Sequence, residues 1–104
     1  MTSPCKTAKR RTPKDFRKGA EVFKALANAN RLLILDVLRG GERCVAELTA
    51  HVGLDISTVS NHLAVLRSVG MVADERRGTQ VFYSLNNPCV LKIFHCLAEF
   101  QAKS

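Results

Sequence analysis

The segment LDISTVSNHLAVLRSVG at residues 54–70 constrains the fold more than any other. Asp55 sits where a helix N-cap belongs, its carboxylate able to accept from the first-turn N–H groups. Ile56, Val59, Leu63 and Leu66 then recur at helical spacing and are expected to face inward. Ser57, Thr58, Ser60, Asn61 and Arg67 fall on the other side, and Gly70 closes the helix. An apolar stripe needs a surface to pack on. The preceding segment offers one: a helix carrying Ala46, Leu48 and Val52, stopped by Gly53. Two helices joined by a tight Gly-Leu-Asp turn make a helix-turn-helix.

After Gly70 the apolar period changes from helical to alternating. Met71–Glu75 and Gln80–Leu85 read as strands, with Arg76-Arg77-Gly78-Thr79 as the tip of a basic hairpin, a wing. Upstream, Phe16, Ala20, Phe23, Leu26 and Ala27 share one helical stripe. Asn28 and Asn30 interrupt it and can cap a second helix through Leu32, Leu33, Leu35, Val37 and Leu38, ended by Gly40-Gly41. Glu42–Val45 reads as a short extended link. Downstream, Asn87 and Pro88 open a last helix. The expected fold is mainly α with a small β-hairpin: four helices, a wing, then a fifth helix. At 104 residues this is one domain, assigned to 14–104, preceded by a mobile basic arm over 1–13.

Charge concentrates where a polyanion could use it. Of a formal net charge of +7, residues 1–18 supply seven basic groups against Asp15, and the remainder is nearly neutral. Such an arm suits phosphate, whose counterions it releases; a solvated tail is the alternative. The face of the 56–68 helix fits the same partner. Ser57, Thr58, Ser60 and Asn61 are short polar side chains at a helix start, able to reach base edges in a major groove. His62 and Arg67 are further candidates on that helix, although packing is the commoner role for such a histidine. Arg76 and Arg77 are placed to enter a minor groove or to bind its phosphates. No apolar run approaches the length of a membrane span, and the basic N-terminus lacks the apolar stretch of a secretory signal, so the cytoplasm is the expected location.

The combination of ALANANRLLILDVL, ERCVAEL, LDISTVSNHLAVLRSVGMV and RRGTQVFYSL strongly resembles the ArsR-type (ArsR/SmtB) metalloregulators over about residues 16–100. The resemblance implies a homodimeric winged helix-turn-helix repressor that binds operator DNA and lets go when a metal or metalloid binds or a thiol is modified. It further implies that the fourth helix reads the major groove and that the first and last helices form the dimer interface. Phe16, Phe23, Leu91, Phe94 and Leu97 are the candidates there. Val90, Leu91, Ile93, Phe94, Leu97 and Phe100 also cover more of a short helix than one small domain can bury.

The cysteines depart from the family's best-known pattern. Where its arsenic-type loop reads C-V-C-D-L-C, this chain has Cys44-Val45-Ala46-Glu47-Leu48-Thr49, with one thiol left. That site would need Cys5 from the arm. The better candidates are Cys89 and Cys96 in the last helix, Cys89 in the first turn where the helix dipole favours thiolate. Seven residues of helix separate them by about 10.5 Å, too far for one ion within a chain unless the first turn unwinds, whereas antiparallel last helices across a dimer could bring one chain's Cys89 near its partner's Cys96. Arsenite or antimonite is the first expected effector, then a soft divalent ion; a reactive-sulfur or oxidant signal at the same thiols is the alternative, and inert packing cysteines in a ligand-independent DNA-binding protein a third reading. A thiol enzyme built on Cys96 and His95 is disfavoured, because adjacent helical side chains point about 100° apart.

Overall fold

The computed structural model describes residues 10–86 and 89–102, with side chains throughout except at 89–91. A single 3₁₀ turn at Pro13–Phe16 leads into α1 (Arg17–Leu26), α2 (Ala29–Arg39), β1 (Arg43–Cys44), α3 (Val45–Val52) and α4 (Ile56–Ser68). The wing strands β2 (Val72–Arg77) and β3 (Gln80–Leu85) follow, then α5 (Cys89–Ala102). Most of the expected basic arm, residues 1–9, lies outside the described residues. Its end at residue 13 falls inside a capping arrangement: Asp15 Oδ2 accepts the Thr12 N–H at 2.8 Å.

Local chemistry sets the helix boundaries. Asn28 Oδ1 accepts from the N–H groups of Asn30 and Arg31 at 3.0 and 3.1 Å, satisfying two donors that α2 itself leaves open. Gly53, at φ +73, takes the left-handed conformation after α3, and its N–H reaches Thr49 O at 3.0 Å. That reversal ends α3 and lets α4 start three residues later.

The core is aliphatic. Leu26 of α1, Ile34, Leu35 and Leu38 of α2, Leu48 of α3, Val59, Leu63 and Leu66 of α4 and Val72 of β2 form one buried cluster. Ile93 and Phe94 of α5 pack against it from outside. Ile56 does not join. At 58% exposure it is on the surface, contrary to its place in the apolar repeat. The Cα–Cβ bond of a helical residue tilts toward the N-terminus, so the first residue of a helix projects its side chain past the end, where no earlier turn lies beneath it.

The hairpin differs from the expected one in two ways. Strand pairing runs from Val72↔Leu85 to Arg77↔Gln80, so Arg76 and Arg77 belong to β2 and the tip is only Gly78-Thr79, with Gly78 at φ +64. The sheet also has a third strand: β1 pairs antiparallel with β3, Arg43 opposite Tyr83 and Cys44 opposite Phe82. The order β1-β3-β2 fastens the wing to the entrance of the helix-turn-helix.

Candidate nucleic-acid interface

The start of α4 is built by Asp55. Its Oδ2 accepts the Thr58 N–H at 3.3 Å and its Oδ1 accepts the Thr58 hydroxyl at 2.6 Å. The hydroxyl first, and the N–H after it, hold the Asp55 carboxyl below the usual carboxylate range. Thr58 is thereby half-buried with its hydroxyl proton committed to the cap, and can offer a base only its lone pairs. Ser57, Ser60 and Asn61 are exposed along the same side of the helix. They present a row of short donors and acceptors from the first two turns, the portion of a recognition helix that meets base edges.

The two other sequence candidates on α4 are tied to the scaffold. His62 is half-buried, and its Nδ1 accepts from Arg31 Nε at 3.2 Å. Arg31 Nη1 in turn donates to Ala25 O at 3.0 Å. One guanidinium thus links the end of α1, the start of α2 and the middle of α4. Arg67, exposed at the far end of α4, bonds Asp74 Oδ2 on β2 at 2.8 Å.

The wing arginines divide as strand geometry requires. Side chains alternate across a strand, so residues 75 and 77 share one face and 76 takes the other. Arg77 pairs with Glu75 at 2.6 Å and with both oxygens of Glu42, just before β1, at 2.7 and 2.8 Å. Its guanidinium also lies over the Phe82 ring, 4.7 Å from the centroid. The Glu42 and Glu75 carboxylates hold Arg77 even more firmly protonated than an ordinary arginine. Bidentate bonding to Glu42 makes Arg77 a strut between wing and body. Arg76 is exposed, and among the described residues its charge meets no carboxylate within ion-pair distance.

Away from this surface, Phe16, Phe23, Leu33 and Phe100 are large exposed apolar side chains. Phe94 and Leu97 are half-buried and, with Leu32 and Leu33 of α2, border an open groove of about 560 Å³. Leu91 belongs to α5, but its side chain is outside the described set. The thiols are split likewise. Cys44 is buried, its N–H donating to Glu47 Oε1 at 3.0 Å, a bond that lowers the Glu47 carboxyl's pKa. Cys96 is exposed on α5, beside a His95–Glu99 pair at 3.7 Å. Cys89 opens that helix, its side chain not described, and Cys5 lies outside the described residues. Among the described residues no three His, Cys, Asp or Glu side chains converge closely enough to hold a metal ion, and no helix is long and apolar enough to cross a membrane.

Comparison with known proteins agrees with this architecture. Residues 28–74 match the family described as "Bacterial regulatory protein, arsR family". The chain is 41% identical over 75 residues to the HTH-type transcriptional regulator Rv0324 of Mycobacterium tuberculosis, covering 72% of this chain but only 33% of that protein. It is 35% identical over 65 residues to the transcriptional repressor SdpR of Bacillus subtilis, covering 62% of this chain and 72% of SdpR. Among solved structures, the homodimeric winged helix-turn-helix DNA-binding domain of Mb0332 from Mycobacterium bovis superposes with a TM-score of 0.77 at 35% identity, covering 92% of this chain and 88% of that one. A capped helix with a polar outer face, a wing strutted to its base and these likenesses place the chain in one group: it belongs to the ArsR family of transcriptional regulators, which are DNA-binding proteins and not enzymes.

Proposed function

We propose that this protein is a homodimeric repressor that reads operator DNA with the first two turns of α4 and is released by a thiophilic effector at α5. The carrying observation is the exposed row Ser57, Ser60 and Asn61 on a helix whose cap, body and end are each fastened to the scaffold. Asn61 can pair with adenine and the serines can bond base edges or phosphate. Arg76 is the wing's free cation for phosphate or a minor groove, while Arg67, Arg77 and His62 hold the reading surface in place. Thr58 shapes the helix start. The arm adds sequence-independent affinity through its basic groups.

Phe16 before α1 and Phe23 on it, both exposed, form the dimer interface in this reading together with the half-buried Phe94 and Leu97 and with Leu91 of α5. SdpR's name supports repression, and the homodimeric state of the Mb0332 domain supports dimerisation. The effector site is placed at Cys89 and Cys96, because Cys96 offers an exposed thiol whereas Cys44 is buried in the body. Thiolates select soft species, so an arsenite-like metalloid comes first and a cadmium- or lead-like ion second. A reactive-sulfur or oxidant signal is favoured by one feature: an exposed thiol can be attacked singly, without a preassembled set of ligands.

The test starts from an operator selected out of random duplex DNA. The protein–operator complex is titrated under reducing conditions with arsenite, cadmium and, separately, polysulfide. Release by one of these, with affinity falling about 5- to 150-fold, supports the switch. Sequence-specific binding indifferent to all three refutes the thiol effector and leaves a constitutive DNA binder. Absence of any selected sequence refutes DNA reading.

A further inference from the structure

Ile56 is a large apolar side chain left exposed on the surface that carries Ser57, Ser60 and Asn61. One helical turn separates it from Ser60. Both border a shallow concavity of about 320 Å³ that Ala46 of α3 and Thr79 and Val81 of the wing complete. Exposing an isoleucine to water at a helix start contributes nothing to the core, and the neighbouring cap already fixes the helix boundary.

We propose that Ile56 is a specificity-determining residue that recognises thymine, by packing on the C5-methyl group in the major groove. The inference rests on the assignment of α4 as the reading helix. Thymine is the one base that shows an apolar group on its major-groove edge. Cytosine has only a C–H where thymine carries the methyl, and on that edge the purines present N7 with an amino donor in adenine or a carbonyl acceptor in guanine. Packed against Ile56, cytosine forfeits the methyl contact, and the purines' polar groups would lose water and gain no partner, so the side chain selects for the methyl and against the alternatives. The apolar rim from Ala46 and Val81 continues the surface on which that methyl would rest. Ser60, one turn on, can bond the neighbouring pair.

The experiment uses the full chain and the selected operator. Each thymine is replaced singly by deoxyuridine, which deletes the methyl and leaves base pairing intact, and affinity is measured by fluorescence anisotropy. Wild type should lose about fourfold at one thymine of each half-site, the equivalent of about one buried methyl group. Ile56→Ala should bind with no loss at that thymine while keeping the wild-type response at the others. Ile56→Val, which retains a branched apolar surface, should keep part of it. An identical deoxyuridine profile in wild type and Ile56→Ala overturns the inference while sparing the reading helix. A selection that enriches no sequence overturns both.

Discussion

Two apolar residues of α4 occupy the same helical repeat, yet the structure assigns them opposite tasks, and truncating each to alanine separates those tasks. Leu63 is fully buried in the cluster that α4 shares with α1, α2, α3 and β2, so Leu63→Ala removes packed atoms and leaves a cavity that the aliphatic surroundings fill only in part. Such truncations cost about 3 kcal/mol. For a domain of this size that lowers the thermal midpoint by about 12–20 °C. Ile56, at 58% exposure, has little packing to lose, and Ile56→Ala should stay within about 0.5 kcal/mol of wild type. The assay is thermal unfolding followed by circular dichroism at one fixed protein concentration, since association makes the midpoint concentration-dependent. Operator affinity is measured on the same samples well below the lower midpoint. Leu63→Ala should then retain the thymine preference despite its reduced stability, and Ile56→Ala should lose the preference despite its stability. A destabilisation above about 2 kcal/mol in Ile56→Ala would mean that the side chain faces inward, as the repeat alone suggests. A destabilisation below about 1 kcal/mol in Leu63→Ala would contradict the packing of α4 on the core.

Ser60→Ala and Asn61→Ala should each weaken operator binding by about 1–3 kcal/mol while sparing random duplex, measured by parallel titrations of both. Deleting residues 1–13 removes four basic groups and should flatten the plot of log affinity against log salt by about 0.9 for each phosphate that the arm no longer neutralises, with sequence preference unchanged. Because Thr58 holds the Asp55 carboxyl below its ordinary pKa, the charged cap stabilises the fold fully above the unfolded value. That contribution disappears as pH falls through the lower folded value. Asp55→Asn, which keeps a cap oxygen without the titration, should show a shallower acid limb in stability measured across pH 2–5, a range set by the ordinary carboxylate near about 3.9. Cys89→Ser and Cys96→Ser should keep operator binding and lose effector-driven release, whereas Cys5→Ser and Cys44→Ser respond like wild type; the reverse pattern would move the sensor to the arm and α3.

Features made by neighbours in sequence were legible without coordinates. Asn28, Asp55 and Gly53 act within three or four residues of themselves, so residue type and position sufficed to place the ends of α2, α3 and α4. The sheet was legible only where a two-residue turn brings its strands together. The extended conformation around β1 is legible in Glu42–Val45, but its pairing is not, because its partners Phe82 and Tyr83 lie about forty positions away. Ile56 was misplaced for a different reason. Periodicity reports which side of an ideal helix a residue occupies, but not whether anything stands opposite its first turn.

The cations show most sharply where reading by residue type reaches its limit. From the sequence, Arg67, Arg76 and Arg77 are equivalent basic groups near a reading helix. In the fold, Asp74 engages the first, Glu42 and Glu75 engage the third, and Arg76 is left to the solvent. The Glu42 bond spans 35 positions, beyond any local pattern. A guanidinium already bonded to two carboxylates would have to break those bonds before meeting a phosphate, whereas a free one sheds only water and counterions. Acidic residues beside the wing therefore do not simply weaken its attraction for DNA. They fix two arginines as braces, Arg67 between α4 and β2 and Arg77 between β2 and the segment before β1, which in the proposed reading steadies the helix and wing that would meet DNA.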